Sequence, residues 1–261
     1  MSPTRFVRVL VDGTPRHGCF VPGAETIALL DGDPILGAHR LTGEVALEGA
    51  RLLVPCAPSK ILGVGTNYRR HAEEMGKPIP DEPLLFLKPP SALLDPGQPI
   101  VRPRGYERVD FEGELCVVIG RRAHRVREEQ ALDFIFGYTI LNDVSVRDLQ
   151  KKDGQFTRAK GFDSFAPVGP WIVPDLHPGR LRLQTRVNGA LVQDSSTEDL
   201  IFSVPRLVAF ASHVMTLLPG DLLTTGTPAG VGNLAPGDTV CITIDQIGSL
   251  ENPVVEAPLE D

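Results

Sequence analysis

The sequence predicts a β-rich α+β protein with few helices. Its 26 glycines and 24 prolines are spread along 261 residues and divide the chain into many short segments of strand-like composition. Asp-Gly and Asn-Gly pairs stand between several of these segments, as they do in hairpins. The best helical spacing of apolar residues lies at 203–215, where Ser203 is a suitable N-cap and Pro205 falls in the first turn. These patterns predict short strands joined by turns, with helices as a minority.

The composition is that of an ordinary globular protein and limits the classes of partner. Hydrophobic residues make up 42% of the chain, and 26 basic against 33 acidic side chains give a net charge of −7. This balance argues against binding to a nucleic-acid backbone, so an anionic ligand would need a locally positive pocket. The four cysteines have no paired spacing, which predicts neither a disulfide framework nor a zinc site.

We expect a cytoplasmic protein that does not associate with membranes. No segment approaches the roughly 20 apolar residues that a membrane-spanning helix needs. The first residues, MSPTRFVRVLVDG, also lack the apolar core of a signal peptide.

The first part of the chain has the pattern of a small β domain. The segments TRFVRVLV and RHGCFV flank an Asp-Gly turn at 12–13, and TIALL and PILG flank a second turn at 31–33, so two hairpins are expected. Prolines at 55 and 58 then interrupt the pattern. We therefore predict a small N-terminal β domain at 1–56 and a larger domain at 57–261.

The segment after this boundary contains a candidate acid/base pair. KILGVGTNY has the pattern of a buried strand that ends in a polar turn, and RRHAEEMG predicts one or two helical turns closed by Gly76. His71 and Glu74 are three residues apart and would share one face of this helix. A histidine held by a carboxylate can act as a general base. The alternative is an ordinary solvated surface helix.

Three acidic residues at strand ends form a candidate metal site. Glu112 and Glu114 lead into the apolar run LCVVIG, and alternate residues of a strand share a face, with Cα atoms roughly 7 Å apart. Asp143 follows a second apolar run, FIFGYTIL. Two neighbouring carboxylates resist burial unless a cation neutralises them, and hard oxygen ligands suit Mg²⁺ or Mn²⁺. The alternative is that all three are solvated residues at strand ends.

Basic and polar residues near these carboxylates are candidates for binding an anionic substrate. Lys88 ends the strand segment PLLFLK before a double proline, although its side chain could also extend along the surface to solvent. Further along, a loop-rich segment contains Arg147, Gln150, Arg158 and Lys160. The stretch AKGFDSFAPVGP, which includes Lys160, indicates that this segment is packed and ordered. An ordered basic loop would balance the charge of the metal site and could hold a substrate carboxylate.

The last third returns to β patterning. An Asn-Gly pair at 188–189 predicts a hairpin, and CITIDQIGSLENPV predicts one strand with a polar tail. The glycine-rich stretch TTGTPAGVG lacks the Gly-Lys-Ser/Thr of a nucleotide loop. It is instead expected to form a turn in which the Thr227 hydroxyl and backbone N–H groups bind an anion.

Taken together, these segments resemble the fumarylacetoacetate hydrolase (FAH) family. The resemblance covers about 57–245, and its marks follow one another in a fixed order: GTNYRRHAEE, LFLKP, DFEGELCVVIG, NDVSVRDLQ, AKGFDSFAPVGP and TTGTPAGVG. It implies a mixed β-roll or barrel with few helices, commonly dimeric. The N-terminal β unit resembles the module that precedes this domain in bacterial relatives of the hydroxyheptadienedioate isomerase and decarboxylase type.

The resemblance also implies roles for individual residues. It implies that Glu112, Glu114 and Asp143 hold Mg²⁺ or Mn²⁺. It implies acid/base chemistry for His71 with Glu74, and a substrate-facing Lys160. Substrate contacts are implied for Gln150 and Thr227 and, more loosely, for Arg147 and Lys88.

The resemblance implies metal-assisted chemistry on a small 2-oxo dicarboxylic acid. Ion chelation by the carboxylate and carbonyl would stabilise an enolate, which isomerisation, decarboxylation and C–C hydrolysis share. We expect an isomerase or decarboxylase of a 2-hydroxy-dienedioate or oxaloacetate-like diacid, as in aromatic-compound catabolism, acting as a homodimer. The alternatives are a hydrolase of an acylpyruvate-type β-diketone and a non-catalytic metal- or ligand-binding protein.

Overall fold

The computed structural model describes residues 4–37, 39–76 and 78–259. The strands are β1 (Arg5–Val11), β2 (Thr14–Phe20), β3 (Thr26–Leu30), β4 (Leu41–Ala46), β5 (Leu52–Leu53), β6 (Ile61–Gly65), β7 (Leu84–Lys88), β8 (Leu93–Leu94), β9 (Ile100–Arg102), β10 (Val109–Phe111), β11 (Gly113–Ile119), β12 (Ile135–Asn142), β13 (Ser145–Val146), β14 (Ala166–Val173), β15 (Arg182–Val187), β16 (Ala190–Ser196), β17 (Leu222–Thr224), β18 (Gly232–Asn233), β19 (Thr239–Ile244) and β20 (Gly248–Glu256).

Helices are short and few in these described ranges. The α-helices are α1 (Arg69–Glu74), α2 (Arg147–Asp153), α3 (Thr157–Lys160) and α4 (Val204–Val214), and 3₁₀ turns lie at Pro90–Ala92, Glu128–Phe134 and Thr197–Asp199. The predicted β-rich α+β class is confirmed. Within the part of the chain that the structure describes, no helix has the length and apolar character required to cross a membrane.

One twelve-stranded sheet forms the centre of the molecule. Its main path runs β4-β3-β2-β1-β14-β12-β11-β17-β6-β7, with β5 paired to β1 and β8 paired to β14. The N-terminal β unit thus continues into the main sheet, through a β1–β14 pairing that sets Phe6 opposite Ile172. A five-stranded sheet, β16-β15-β19-β20-β9, and a three-stranded sheet, β13-β10-β18, complete the β structure.

Strand β11 lies deepest in the fold, and every one of its residues is buried. It pairs with β12 on one side and with β17 on the other, so its backbone hydrogen-bonding groups are satisfied without water. The main core cluster joins β11 and β12 to α4 and β19, for example through Leu115, Leu207 and Ile242. The end of this rigid pair of strands is therefore a firm platform for polar side chains.

Most of the predicted turns and elements are present. Turns join β1 to β2 at 12–13 and β15 to β16 at 188–189, as expected from their Asp-Gly and Asn-Gly pairs. Helix α4 begins after Ser203, whose Oγ accepts a hydrogen bond from the Arg206 amide at 3.3 Å. Helix α1 is followed by Gly76 with φ +61°, as predicted for its end.

Three local predictions were wrong. Residues 34–37 form a turn rather than a strand, because Asp31 and Asp33 accept backbone hydrogen bonds from Arg40 and Ile35, and β3 pairs with β4 instead. The segment predicted as a basic loop contains the helices α2 and α3. The C-terminal strand prediction missed that the chain turns back at 245–247 to form the β19–β20 hairpin.

Candidate active site

The three predicted metal ligands meet where β11 and β12 pair. Gly113 lies opposite Asn142, and the Asp143 amide donates a 2.9 Å hydrogen bond to the Glu112 carbonyl oxygen. This pairing fixes Asp143 beside Glu112, while strand alternation gives Glu112 and Glu114 the same face. All three side chains are buried, and one carboxylate oxygen from each lies within 4.8 Å of the others.

The residue between the two glutamates is glycine because its other face packs against the five-stranded sheet. A Cβ at Gly113 would lie 2.6 Å from Thr185 Oγ1 and 3.1 Å from Gln193 Oε1. The Gly113 amide instead donates to Gln193 Oε1 at 3.2 Å, and Thr185 Oγ1 donates to the same oxygen at 2.6 Å. A side chain here would push the flanking carboxylates out of place.

Gln193 connects this strand to the turn that contains Thr227. Its Nε2 donates 2.9 Å hydrogen bonds to Thr227 Oγ1 and to the Pro228 carbonyl oxygen, and the Thr227 hydroxyl donates to the Gly113 carbonyl oxygen at 3.0 Å. The hydroxyl hydrogen of Thr227 is therefore used within the protein. Towards a ligand, this side chain offers an acceptor rather than a donor.

The turn around Thr227 binds two of the protein's own carboxylates. The Gly226 amide donates to Glu114 Oε2 at 2.8 Å, and the Gly230 amide donates to Glu74 Oε1 at 3.0 Å. Gly226 has φ +88°, and a Cβ there would lie 2.9 Å from Asn67 Cβ, so the turn requires glycine. The backbone N–H groups of the turn thus hold both a predicted metal ligand and the partner of the predicted base.

Lys160 lies between two of the three clustered carboxylates. Its Nζ donates to Glu112 Oε2 at 2.7 Å, to Asp143 Oδ2 at 2.5 Å and to Ser145 Oγ at 2.8 Å. Burial would lower the pKa of Lys160, but Asp143 and Glu112 outweigh it and the pKa is raised. Lys160 is therefore a permanent cation at the centre of the site.

Arg147 braces the outer side of the cluster. Its guanidinium donates to Asp110 Oδ2 at 2.7 Å, to Glu112 Oε1, and to Gln150 Oε1 at 2.9 Å. Asp110 is fully buried and also accepts from Arg108 Nε at 2.9 Å. Through these hydrogen bonds the guanidinium orients the Gln150 side chain and neutralises the charge of Glu112.

The two glutamates differ in their electrostatic environment. Burial would raise the pKa of Glu112, but Arg147 and Lys160 outweigh it and hold the pKa below its usual range. Burial, followed by Asp143 and Glu112, raises the pKa of Glu114 well above its ordinary value. The hydrogen-bond donor to Glu114 within the described chain is a neutral amide. Within the described chain, Glu114 is therefore the carboxylate of the three that forms no ion pair with a basic side chain.

This arrangement fits a hard divalent cation. All three candidate ligands are carboxylate oxygens, which Mg²⁺ and Mn²⁺ prefer. The Lys160 ammonium already marks a cation position between Glu112 and Asp143, and Glu114 borders it. The three oxygens lie within 4.8 Å of one another, so side-chain movement would bring them to the shorter spacing of ligands around Mg²⁺.

The predicted acid/base pair is formed. Helix α1 brings His71 Nδ1 to 3.0 Å from Glu74 Oε2, and His71 is 7% exposed. The remaining ring nitrogen of His71, Nε2, is free of this contact, and His71 lines the same cavity as Glu112 and Lys160. A carboxylate at Nδ1 favours the tautomer that leaves Nε2 unprotonated and able to take up a proton.

Lys88 lies behind the cluster and does not line the cavity. Its Nζ is fully buried and donates to Asp143 Oδ1 at 2.7 Å and to the Val144 carbonyl oxygen at 3.3 Å. Burial lowers its pKa, and Asp143 partly opposes this effect. In this structure Lys88 holds the metal ligand Asp143, which differs from the substrate contact expected for it.

Lys88→Met should therefore destabilise the protein strongly. The variant leaves Asp143 Oδ1 without its charged partner, although Lys160 still bonds to Oδ2. Breaking a buried ion pair in this way costs about 3–5 kcal/mol of unfolding free energy. Urea unfolding with and without Mg²⁺ would measure this loss, and the ion should restore part of it. Lys60→Met is the matched control, because Asp221 would keep Ser59 Oγ and three backbone amides as donors, and Mg²⁺ should have no effect there. Equal losses in both variants would contradict this role of Lys88.

A cavity of about 420 Å³, partly open to solvent, brings most of the predicted site residues together. The predicted residues that line it are His71, Glu112, Glu114, Arg147, Gln150, Lys160 and Thr227. Glu74, Asp143 and Lys88 support these residues from behind. Arg158 pairs with Asp153 at the surface instead.

Three buried polar residues hold the site and were not selected from the sequence. They are Gln193, Asp110 and Asn67. Asn67 Nδ2 donates to the carbonyl oxygens of Thr225 and Phe202, at 2.8 and 3.1 Å, and so joins the end of β6 to the turn. Asp110 had a signal, since it extends the acidic run before β11, whereas Gln193 looks like any residue of an alternating strand.

Comparisons with known proteins match two parts of the chain to family models. Residues 60–255 match the family model for the fumarylacetoacetate hydrolase C-terminal domain, and residues 4–55 match the Rv2993c-like N-terminal model. The chain is 40% identical over 265 residues to the oxaloacetate tautomerase YisK of Bacillus subtilis, covering 90% of this chain and 87% of the relative.

Solved structures give the same result at the level of the fold. The 2-hydroxyhepta-2,4-diene-1,7-dioate isomerase of Mycobacterium marinum superposes with a TM-score of 0.91 at 46% identity, covering 98% of this chain and all of the other. A maleylpyruvate hydrolase of Sphingobium, solved with manganese(II) and pyruvate, superposes with a TM-score of 0.80 at 33% identity, covering 97% of this chain and all of the other. The relatives are thus enzymes of one fold, and the chain belongs to the fumarylacetoacetate hydrolase family.

Proposed function

We propose that the protein is a divalent-metal-dependent isomerase acting on a short 2-oxo dicarboxylic acid, with enol–keto tautomerisation of oxaloacetate as its model reaction. The observation that carries the proposal is the union of three buried carboxylates, Lys160 and the His71–Glu74 pair around one cavity. Relatives named as an oxaloacetate tautomerase and a dienedioate isomerase support this reaction class over hydrolysis.

Glu112, Glu114 and Asp143 would hold Mg²⁺ or Mn²⁺. When bound, the ion supplies Lewis acidity to the oxygens of a 2-oxo acid. Lys160 offers positive charge to the oxygen at C2, and the Arg147-oriented Gln150 side chain offers its N–H groups to a carboxylate. These groups would bind and orient the substrate without moving far, since β11 and β12 fix the carboxylates.

His71 would move the proton. In the keto-to-enol direction the C3–H bond breaks and its proton passes to His71 Nε2. The electron pair of that bond forms the C2–C3 double bond, and the second pair of the C2–O double bond moves to the oxygen. This oxygen takes a proton from solvent, and His71 returns its proton to solvent. Glu74 keeps the ring in place through Nδ1, and the Gly230 amide keeps Glu74 in place. The same residues would catalyse the enol-to-keto direction by the reverse proton transfers.

Chelator-treated protein should lose oxaloacetate tautomerisation and recover it with Mg²⁺ or Mn²⁺. The ultraviolet absorbance of the enol and NMR of the products would follow the reaction. Faster enol–keto exchange identifies a tautomerase, and pyruvate with CO₂ identifies a decarboxylase. Acetate and pyruvate from acetylpyruvate would indicate the C–C hydrolase. Activity that is indifferent to metal, or no activity on any 2-oxo diacid, would contradict the proposal.

We also propose that the active form is a homodimer, as the family resemblance implies. Sedimentation velocity of the purified chain would test the dimer directly. A monomer that is fully active at assay concentrations would contradict it.

A further inference from the structure

Two aromatic side chains form one wall of the cavity. Phe86 lies on β7, and Phe156 lies on the connection between α2 and α3. Their ring centroids are 5.3 Å apart with an interplanar angle of 75°, an edge-to-face contact. Both rings line the cavity and also line a separate apolar groove on the far side. The pair is therefore a partition between two spaces.

Phe86 is held firmly in this partition. It pairs with Gly63 across the β6–β7 strands, and a Cβ on Gly63 would lie 2.1 Å from the ring of Phe86. The glycine thus provides the space in which the ring sits. On its other side, Lys160 Nζ lies 4.8 Å from the ring centroid, a cation–π contact.

Phe156 is the residue of the aromatic pair that lies outside the strands. It follows Gly154, which ends α2 with φ +67°, and it precedes the short helix α3. Its ring packs against Phe86 and lies near Gly65, where an added Cβ would be 3.6 Å from the ring. Substitution at this position would open the partition without disturbing a strand.

The groove beyond the pair could accept an apolar chain. It encloses about 980 Å³, including open solvent, and its apolar lining comprises Leu62, Leu84, Leu85, Leu87, Val214 and Met215. Leu87 is 46% exposed there. The groove therefore differs from the cavity in having no charged lining residue among those that the structure describes.

Two basic side chains line the cavity. Lys160 and Arg147 both bond to Glu112, and Lys160 also contacts the ring of Phe86. A short 2-oxo acid can keep its carboxylate beside these groups. A longer acid would press its far end against the two rings, and a well-packed wall resists added methylenes.

We propose that Phe86 and Phe156 set the upper limit of substrate length and restrict the site to short 2-oxo acids. This inference rests on the proposed function, since it concerns the same cavity. The wall closes the path along which an unbranched chain would otherwise enter the groove. Phe156 is the residue whose removal joins the two spaces.

Binding of unbranched 2-oxo acids from 2-oxobutanoate to 2-oxooctanoate, measured by calorimetry in the presence of Mg²⁺, tests this limit. In the wild type, affinity should fall as the chain grows. In Phe156→Ala it should rise by about fourfold for each methylene that enters the groove. Phe156→Leu provides a second, smaller opening if the alanine variant folds poorly, and circular dichroism checks each fold.

Leu87→Asp added to Phe156→Ala is the matched control. The added carboxylate would lie in the groove and not in the cavity. The gain in affinity for long chains should therefore disappear, while 2-oxobutanoate still binds. The inference is overturned if the wild type binds 2-oxooctanoate more tightly than 2-oxobutanoate, or if neither Phe156 variant changes the dependence on length. If Mg²⁺ binds but neither these acids nor oxaloacetate bind, the proposed function itself fails.

Discussion

Glu114→Ala should abolish both Mg²⁺ or Mn²⁺ binding and turnover. The variant removes one of three clustered carboxylates, and within the described chain it removes the one that forms no ion pair with a basic side chain. Loss of an outer partner of a metal ligand already costs roughly 10- to 100-fold in affinity, so loss of a ligand should exceed about 100-fold. Calorimetric titration with each ion, together with the oxaloacetate assay, would measure both effects.

Glu114→Gln is the matched variant that separates charge from packing. Burial, followed by Asp143 and Glu112, raises the pKa of Glu114, so these surroundings stabilise its neutral form relative to its charged form. Glutamine imitates that neutral form, and its oxygen can still accept from Gly226. The metal-free variant should thus be at least as stable as the wild type, yet gain nothing from the ion. Ion binding with wild-type affinity in either variant would refute the assigned metal site.

The pH dependence follows from the same shift. A carboxyl group whose pKa is higher in the folded protein than its ordinary value of 4.5 costs stability as the pH rises from that value towards the raised pKa. The metal-free wild type should lose stability across this window, and Glu114→Gln should lose less. Ion binding displaces the proton, so wild-type metal affinity should strengthen as the pH rises.

His71→Ala should keep the ion and lose the proton transfer. His71 is outside the carboxylate cluster, so metal affinity should stay near that of the wild type, while turnover should fall by about 10²- to 10⁴-fold. Calorimetry and the oxaloacetate assay on one preparation would show both results. His213→Ala, an exposed histidine of α4, is the control and should leave turnover unchanged. Full activity of His71→Ala would show that His71 is not the general base.

The sequence was sufficient to predict the elements that depend on local patterns of neighbouring residues. Strand alternation and the Asp-Gly and Asn-Gly turns were sufficient for β1–β2, β15–β16 and the shared face of Glu112 and Glu114. Helix α4 was also predictable, because its cap, its proline and its apolar spacing agree. The meeting of Glu112 and Asp143 was predictable because β11 and β12 are antiparallel neighbours in the chain and pair directly.

Long-range packing decided what the sequence did not reveal. Helices α2 and α3 carry few apolar residues, and their hydrogen bonds and ion pairs with the site stabilise them in place of an apolar stripe. Gln193 reaches Gly113 from another sheet, 80 residues away, and no local pattern marks it. For Lys88, the strand was predictable, but its pairing with Asp143 depends on the order of the sheet.

The pairing of β1 with β14 has a consequence for engineering the chain. Strand β14 also borders β12, the strand that leads to Asp143. Deleting the first 55 residues would strip one neighbour from β14 and leave bare backbone amides and carbonyls one strand away from the catalytic platform. Transplanting the C-terminal unit by itself would therefore create an aggregation-prone edge, and chimeras should exchange the two units together.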